Sequence, residues 1–147
     1  MDKIIHVLND LIATCRDSEE GFGKAAKGTR IQILRDRFMG IARQRAEFAD
    51  ELAAHVGRLG GQPAESGHLS GIQERGWREL EEGIRRRDDA ILLAECEEGE
   101  ENTLRHYEQA LTHDFPPPER AMVERHRLAV QEALLELRSV EPLRRAG

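Results

Sequence analysis

The sequence has few of the cysteines that stabilise small extracellular proteins and few of the aromatic residues that are common in β-rich proteins. Its 147 residues include two cysteines, five prolines, four Phe, one Tyr and one Trp. Cys15 and Cys96 are too few for a disulfide framework and show no metal-ligand spacing, so we expect two reduced, buried thiols in a cytoplasmic protein. No stretch alternates apolar and polar residues with a period of two, which excludes an extensive β-sheet.

The sequence also lacks an excess of positive charge and any long apolar run. The 22 Lys and Arg are outnumbered by 28 Asp and Glu, which leaves a net charge of −6. This balance argues against a nucleic-acid partner, because phosphate binding needs clustered cations. A membrane span needs about 20 consecutive apolar residues, so we expect no membrane partner. Residues 1–15 lack the pattern of an export signal, which supports the cytoplasmic assignment.

The residues that are abundant favour helices throughout. Ala, Leu, Glu, Arg and Gln predominate, and β-branched residues are sparse. The length suits one domain over residues 1–147, with enough chain to bury a core without metal or disulfide. The Gly and Pro positions predict helices near residues 2–27, 29–59, 69–86, 88–114 and 118–140.

Four of these segments carry apolar stripes at alternating spacings of three and four, typical of helices that share a core. The predicted fold is therefore all-α, a four-helix bundle. The segment 69–86 is predicted to be an extra helix in the crossover between the second and third long helices. Trp77 is expected to be its buried anchor.

Polar residues that interrupt the stripes are the candidate site. They are Glu19, Arg45, His55, Glu100, Tyr107 and His126. Burying a charge costs several kcal/mol unless it is paired, so we expect a buried polar network. Estimated heights along the bundle place Glu19 and Glu100 around Arg45, whose fork suits two carboxylates, and place Tyr107 on His126.

The alternative is a metal centre with Glu19, Glu100 and His126 as ligands. Ferritin-type di-metal sites use inward Glu residues from two helices and Glu-x-x-His from the other two. This sequence has no Glu-x-x-His. We therefore expect no cofactor, with iron or manganese as the alternative, and we identify no catalytic or cofactor-binding residues.

Short runs along residues 3–140 form a recognisable combination. They are LNDLI at 8–12, DSEEGF at 17–22, RAEFADEL at 45–52, LGG at 59–61, GW at 76–77, DD at 88–89, ECEEGE at 95–100 and YEQAL at 107–111. Together they resemble a bacterial domain family of unknown function with a ferritin-like four-helix bundle. The resemblance implies a fold and assigns no activity.

Two functions remain open on these observations. The first is a non-enzymatic helical protein, stress-associated, that acts by self-association as a homo-oligomer such as a dimer, or by binding a helical protein partner. The second is a ferritin-like protein that stores, senses or oxidises with iron or manganese.

Overall fold

The computed structural model describes residues 1–68 and 77–140, and these residues form five helices and no strand. The helices are α1 (Asp2–Gly28), α2 (Gln32–Arg58), α3 (Leu80–Arg86), α4 (Asp89–Ala110) and α5 (Pro117–Arg138). The all-α prediction is confirmed. No helix among the described residues is long and apolar enough to cross a membrane.

The helix ends follow local chemistry, with two corrections to the predicted bounds. Asp88 caps α4 by accepting from the main-chain N–H of Ile91, as expected at this junction. The second helix begins at Gln32 and not at 29, because Thr29 is extended and its hydroxyl donates to Asp89. The helix predicted over 88–114 ends at Ala110, where a turn precedes the prolines that open α5.

The predicted crossover helix over 69–86 lies partly outside the described residues, which exclude 69–76. Residues 77–79 form a turn, and helix appears from Leu80 to Arg86. It ends at Arg87, which adopts a left-handed conformation (φ 52°). The described helix is thus shorter than the predicted one.

The long helices pack in two antiparallel pairs. The short connection at 29–31 folds α2 back along α1, and the connection at 111–116 folds α5 back along α4. The pairs meet mainly through α1 and α4, and α3 packs on both of these helices. Side chains of α1 and α4 therefore meet along the contact between the two pairs.

The core consists of two apolar clusters with a polar layer between them. One cluster contains Cys15, Phe48 and Tyr107, and the other contains Phe22, Trp77 and Cys96. Four buried polar residues lie between the clusters along their helices: Ser18, Arg45, Glu100 and Thr103. Because an apolar core excludes water, these groups must satisfy one another.

Trp77 is buried, with 3% of its surface exposed, which confirms the prediction. Its indole packs edge-on against Phe22 at 5.2 Å between ring centroids. A methyl group added at Gly21 on α1 or at Gly99 on α4 would overlap the indole. The two glycines thus form the slot that holds it.

Candidate functional site

The buried polar layer is built around one ion pair between α2 and α4. Arg45 donates from Nη1 to Glu100 Oε1 at 2.5 Å and from Nη2 to Oε2 at 2.6 Å. Both side chains are fully buried. Burial acts to lower the pKa of Arg45, but the Glu100 carboxylate raises it overall, so the guanidinium stays charged. Both Glu100 oxygens are occupied.

Glu19 does not belong to this layer, which corrects the expected three-member group. It pairs with Arg16 at 3.0 Å, and 39% of its side chain is exposed. The inward position is taken by Ser18, which shares a hydrogen bond of 2.9 Å with Thr103. The spacings Cys15–Ser18–Phe22 and Cys15–Glu19–Phe22 both fit a helical stripe. Packing selects the smaller, uncharged side chain.

A series of hydrogen bonds runs through the apolar cluster that contains Cys15 and Tyr107 and reaches the surface at Glu51. His126 Nε2 lies 2.8 Å from Glu51, and Nδ1 lies 2.9 Å from the Tyr107 hydroxyl. Tyr107 lies 3.2 Å from Cys15 Sγ. Because an ionised carboxylate only accepts, His126 donates to Glu51 and Tyr107 donates to His126. Tyr107 is thus on His126, where the sequence places it.

Burial favours the uncharged forms of His126, Tyr107 and Cys15. It lowers the pKa of His126 to about 4 and raises the pKa of the Cys15 thiol to about 11. The His126 ring also stacks on Phe48 at 3.7 Å between centroids. A thiol that stays protonated is a poor nucleophile, so the geometry provides no thiolate for catalysis.

His55 belongs to a separate contact between α2 and α5. Its Nδ1 lies 2.5 Å from the buried Glu119 carboxylate, which also accepts from Arg58. Burial acts to raise the pKa of Glu119, but His55 and Arg58 lower it overall. This contact fastens the end of α2 to the start of α5.

The structure brings together a second polar group that sequence reasoning missed. We call it the histidine–aspartate groove. It comprises His6, Asp10 and Asp17 of α1, His68 of the connection after α2, His106 of α4, and His113 of the connection between α4 and α5. Three cavities of about 220, 170 and 340 Å³ share Asp10 in their lining. Asp10 is the centre of the groove.

Hydrogen bonds hold His68 between the two aspartates. Its Nε2 lies 2.9 Å from Asp10 and its Nδ1 lies 2.8 Å from Asp17, while His106 Nδ1 lies 2.9 Å from the other Asp10 oxygen. Ionised carboxylates only accept, so His68 in this position is an imidazolium that donates from both nitrogens. Burial acts to lower the pKa of His68, but the aspartates raise it overall. Despite burial, the two imidazoles lower the pKa of Asp10 to about 2.

The signal for the groove is present in the sequence as helical spacing. His6, Asp10 and Asp17 lie at i, i+4 and i+11 on α1, and His106 and His113 are seven residues apart in the helix predicted over 88–114, although α4 ends at Ala110. Each set marks one outward face. Nothing local indicates that the two faces meet, and His68 follows a loop whose path periodicity does not predict.

The candidate metal ligands are engaged with protein groups. Glu100 is held by Arg45, His126 by Tyr107 and Glu51, and Glu19 lies at the surface. Within residues 1–68 and 77–140, no three His, Cys, Asp or Glu side chains are grouped so that they could hold a metal ion. The polar layer joins α2 to α4 through Arg45 and Glu100, and His68 joins the connection after α2 to Asp10 and Asp17 of α1.

The fold and these sites define an all-helical protein in which the buried pairs Arg45–Glu100, Ser18–Thr103 and Tyr107–His126 join the helices. The model of the family described as Domain of unknown function (DUF2383) matches residues 3–113. The chain belongs to this family, as the resemblance in its sequence predicts. No curated protein matches the chain.

Proposed function

We propose that the protein is a non-enzymatic helical bundle of the ferritin type that acts by self-association. The observation that carries this proposal is that the buried Glu100 and His126 are held by protein partners at every side-chain ligand atom. Both oxygens of Glu100 accept from Arg45, and both nitrogens of His126 have protein partners. A reacting or metal-bound group needs an open ligand position, and these side chains offer none.

The ferritin-type arrangement is supported by the order of the connections. Short connections join α1 to α2 and α4 to α5, whereas residues 59–88, with α3 among them, join α2 to α4. One long crossover between two antiparallel pairs is the topology of ferritin-type bundles. Residues 1–147 are one domain in this proposal.

A cytoplasmic location belongs to the same proposal. Its support is the state of Cys15 and Cys96, which are free and buried. Free thiols persist where the compartment is reducing.

Metal analysis tests the non-enzymatic proposal. Protein purified without chelator and soaked in Fe²⁺ or Mn²⁺ is expected to retain well below one metal ion per chain after desalting. A chelator is expected to leave the melting temperature unchanged. Glu100→Gln tests the interior directly, and Glu19→Ala is the matched surface control.

Stoichiometric metal in the wild type that disappears in Glu100→Gln but persists in Glu19→Ala would overturn the proposal. It would establish the iron or manganese alternative. Such a site requires Arg45 to leave Glu100, and a chelator would then lower stability.

A further inference from the structure

Helix α2 presents an outward face that the described helices leave uncovered. Ile33 is 67% exposed and Met39 is 41% exposed, and these are two of the five exposed large apolar side chains of the described residues. Beside Met39, Gly40 is also exposed, and a methyl group added there meets no atom within 4 Å. The face therefore has an exposed apolar side chain next to an exposed position that carries no side chain.

The charges on this face have a definite order. Asp36 and Arg43 are both exposed and lie seven residues apart, about 10.5 Å along the helix, which is too far for them to pair with each other. Asp36 accepts only from Gln32 within the described residues, at 2.7 Å. Arg43 has no hydrogen bond or ion pair with that part of the chain. The face thus has a free cation and an acid without an ionic partner.

We infer that this face is an interface with a second copy of the chain, with the two α2 helices antiparallel. When the two-fold axis passes between Met39 and Gly40, Arg43 lies opposite Asp36 of the partner subunit. Met39 then lies opposite Gly40 of the partner subunit. The axis repeats both contacts, as self-complementary interfaces require. A parallel pairing would place Arg43 against Arg43 of the partner subunit, which repels.

The groove between α1 and α2 extends the same face. It has a volume of about 450 Å³ and is lined by Gly23, Ala26, Lys27, Arg35, Met39, Ala42 and Arg43. Its floor is apolar, and Lys27 and Arg35 lie at the end near the α1–α2 turn. The antiparallel register brings the exposed Glu47 of the partner subunit to this basic end. The charges at this end of the groove are therefore complementary in the same register.

This inference rests on the proposed self-association and names its surface. Charge reversal tests it by sedimentation velocity over a concentration series. Arg43→Glu places two like-charged pairs in the interface and is expected to weaken the dimer by at least about tenfold, since each 1.4 kcal/mol is tenfold. The double variant Asp36→Arg/Arg43→Glu reverses both charges and is expected to restore the dimer to within about threefold of wild type.

Two further variants complete the test. Gly40→Arg places a bulky, charged side chain where Met39 of the partner subunit would lie, and it is expected to prevent dimerisation. Arg105→Glu is the control: it makes the same charge change as Arg43→Glu on the exposed side of α4 and is expected to leave the dimer unchanged. All substituted positions are exposed, and circular dichroism checks that each variant folds.

The outcomes separate the interface from self-association itself. A dimer that tolerates Arg43→Glu and Gly40→Arg would overturn the α2 interface and leave self-association standing. A chain that is monomeric at every concentration would overturn both. Loss of the dimer in the double variant, with Arg43→Glu no worse, would refute the antiparallel register.

Discussion

His68 and His126 show how a residue's partners determine its charge. His68 lies between two carboxylates, and its imidazolium form satisfies both. His126 lies between a carboxylate and a hydroxyl that donates to it, so its neutral form satisfies both. The pKa of His68 is therefore raised above the ordinary histidine value of 6.5, and the pKa of His126 is lowered below it.

This contrast predicts a stability that falls on both sides of pH 6.5. The pKa of His68 is raised in the folded state, so its contribution is full below 6.5 and is lost as the pH rises through the folded value. The pKa of His126 is lowered to about 4, so its contribution is full above 6.5 and is lost as the pH falls toward 4. The acid loss is on the order of 2–3 kcal/mol.

Urea unfolding between pH 5 and 9 checks this prediction. His68→Gln is expected to lower stability at pH 6 and to remove the decline above pH 6.5. His113→Gln is the matched control, because His113 lines the groove without an ion pair to the described residues. An unchanged alkaline decline in His68→Gln would assign that decline to other groups.

At the scale of elements, the fit of Trp77 between α1 and α4 depends on two glycines. In a helix interior Gly is about 1 kcal/mol less favourable than Ala, so Gly→Ala normally stabilises an exposed site. Gly21 and Gly99 have no room for a methyl group because the indole occupies that space. Helix propensity and packing therefore act in opposite directions at these two positions.

Gly99→Ala is expected to lower the free energy of unfolding by about 1–3 kcal/mol through overpacking. Gly23→Ala on α1 is expected to raise it by roughly 0.5–1 kcal/mol, because nothing lies near its added methyl group. Trp77→Ala alone is expected to cost about 3–5 kcal/mol. Denaturant titration measures all three.

A double variant isolates the contact between the indole and the glycine. In the Trp77→Ala background, Gly99→Ala is expected to become neutral or stabilising, since the slot is then empty. If Gly99→Ala destabilises equally in both backgrounds, another neighbour of Gly99 is responsible.

At the scale of the whole molecule, the Arg45–Glu100 pair divides the core into two apolar halves and ties α2 to α4. Buried ion pairs contribute little net stability, but an unpaired buried charge is costly. The pair therefore acts mainly on the alignment of the helices. This view predicts that the fold tolerates loss of the whole pair better than loss of half of it.

Arg45→Met is expected to cost on the order of 3–5 kcal/mol, because Glu100 is left buried and unpaired. Arg45→Met/Glu100→Leu is expected to recover much of that loss. The surface pair of Arg37 and Glu136 is the control, and Arg37→Met is expected to cost at most about 1 kcal/mol. A double variant as unstable as Arg45→Met would contradict this account.

Local sequence was sufficient for the four long helices, apart from the corrected ends of α2 and α4, and for Arg45 and Glu100 of the buried polar layer. The predicted helices at 2–27 and 118–140 lie within two residues of α1 and α5, because Gly28 and the proline run act on their own neighbourhood. Arg45, Glu100, Tyr107 and His126 are all buried, as their stripes predict. Helical periodicity is a local property, so it can be read without knowing what the helix packs against.

Only the tertiary structure decided that Ser18 and not Glu19 faces the core and that the histidine–aspartate groove forms. Glu19 and Ser18 fit the α1 stripe equally well. In the folded chain Ser18 is buried and the Glu19 side chain is partly exposed, because burying an unpaired carboxylate is costly. The histidine–aspartate groove depends on α1, α4 and a loop whose residues are far apart in the chain. The sequence by itself therefore determined which faces are apolar and which are polar. The folded chain decided the remaining partners and, through them, the opposite pKa shifts of His68 and His126, since hydrogen bonding and desolvation depend on distances that only packing sets.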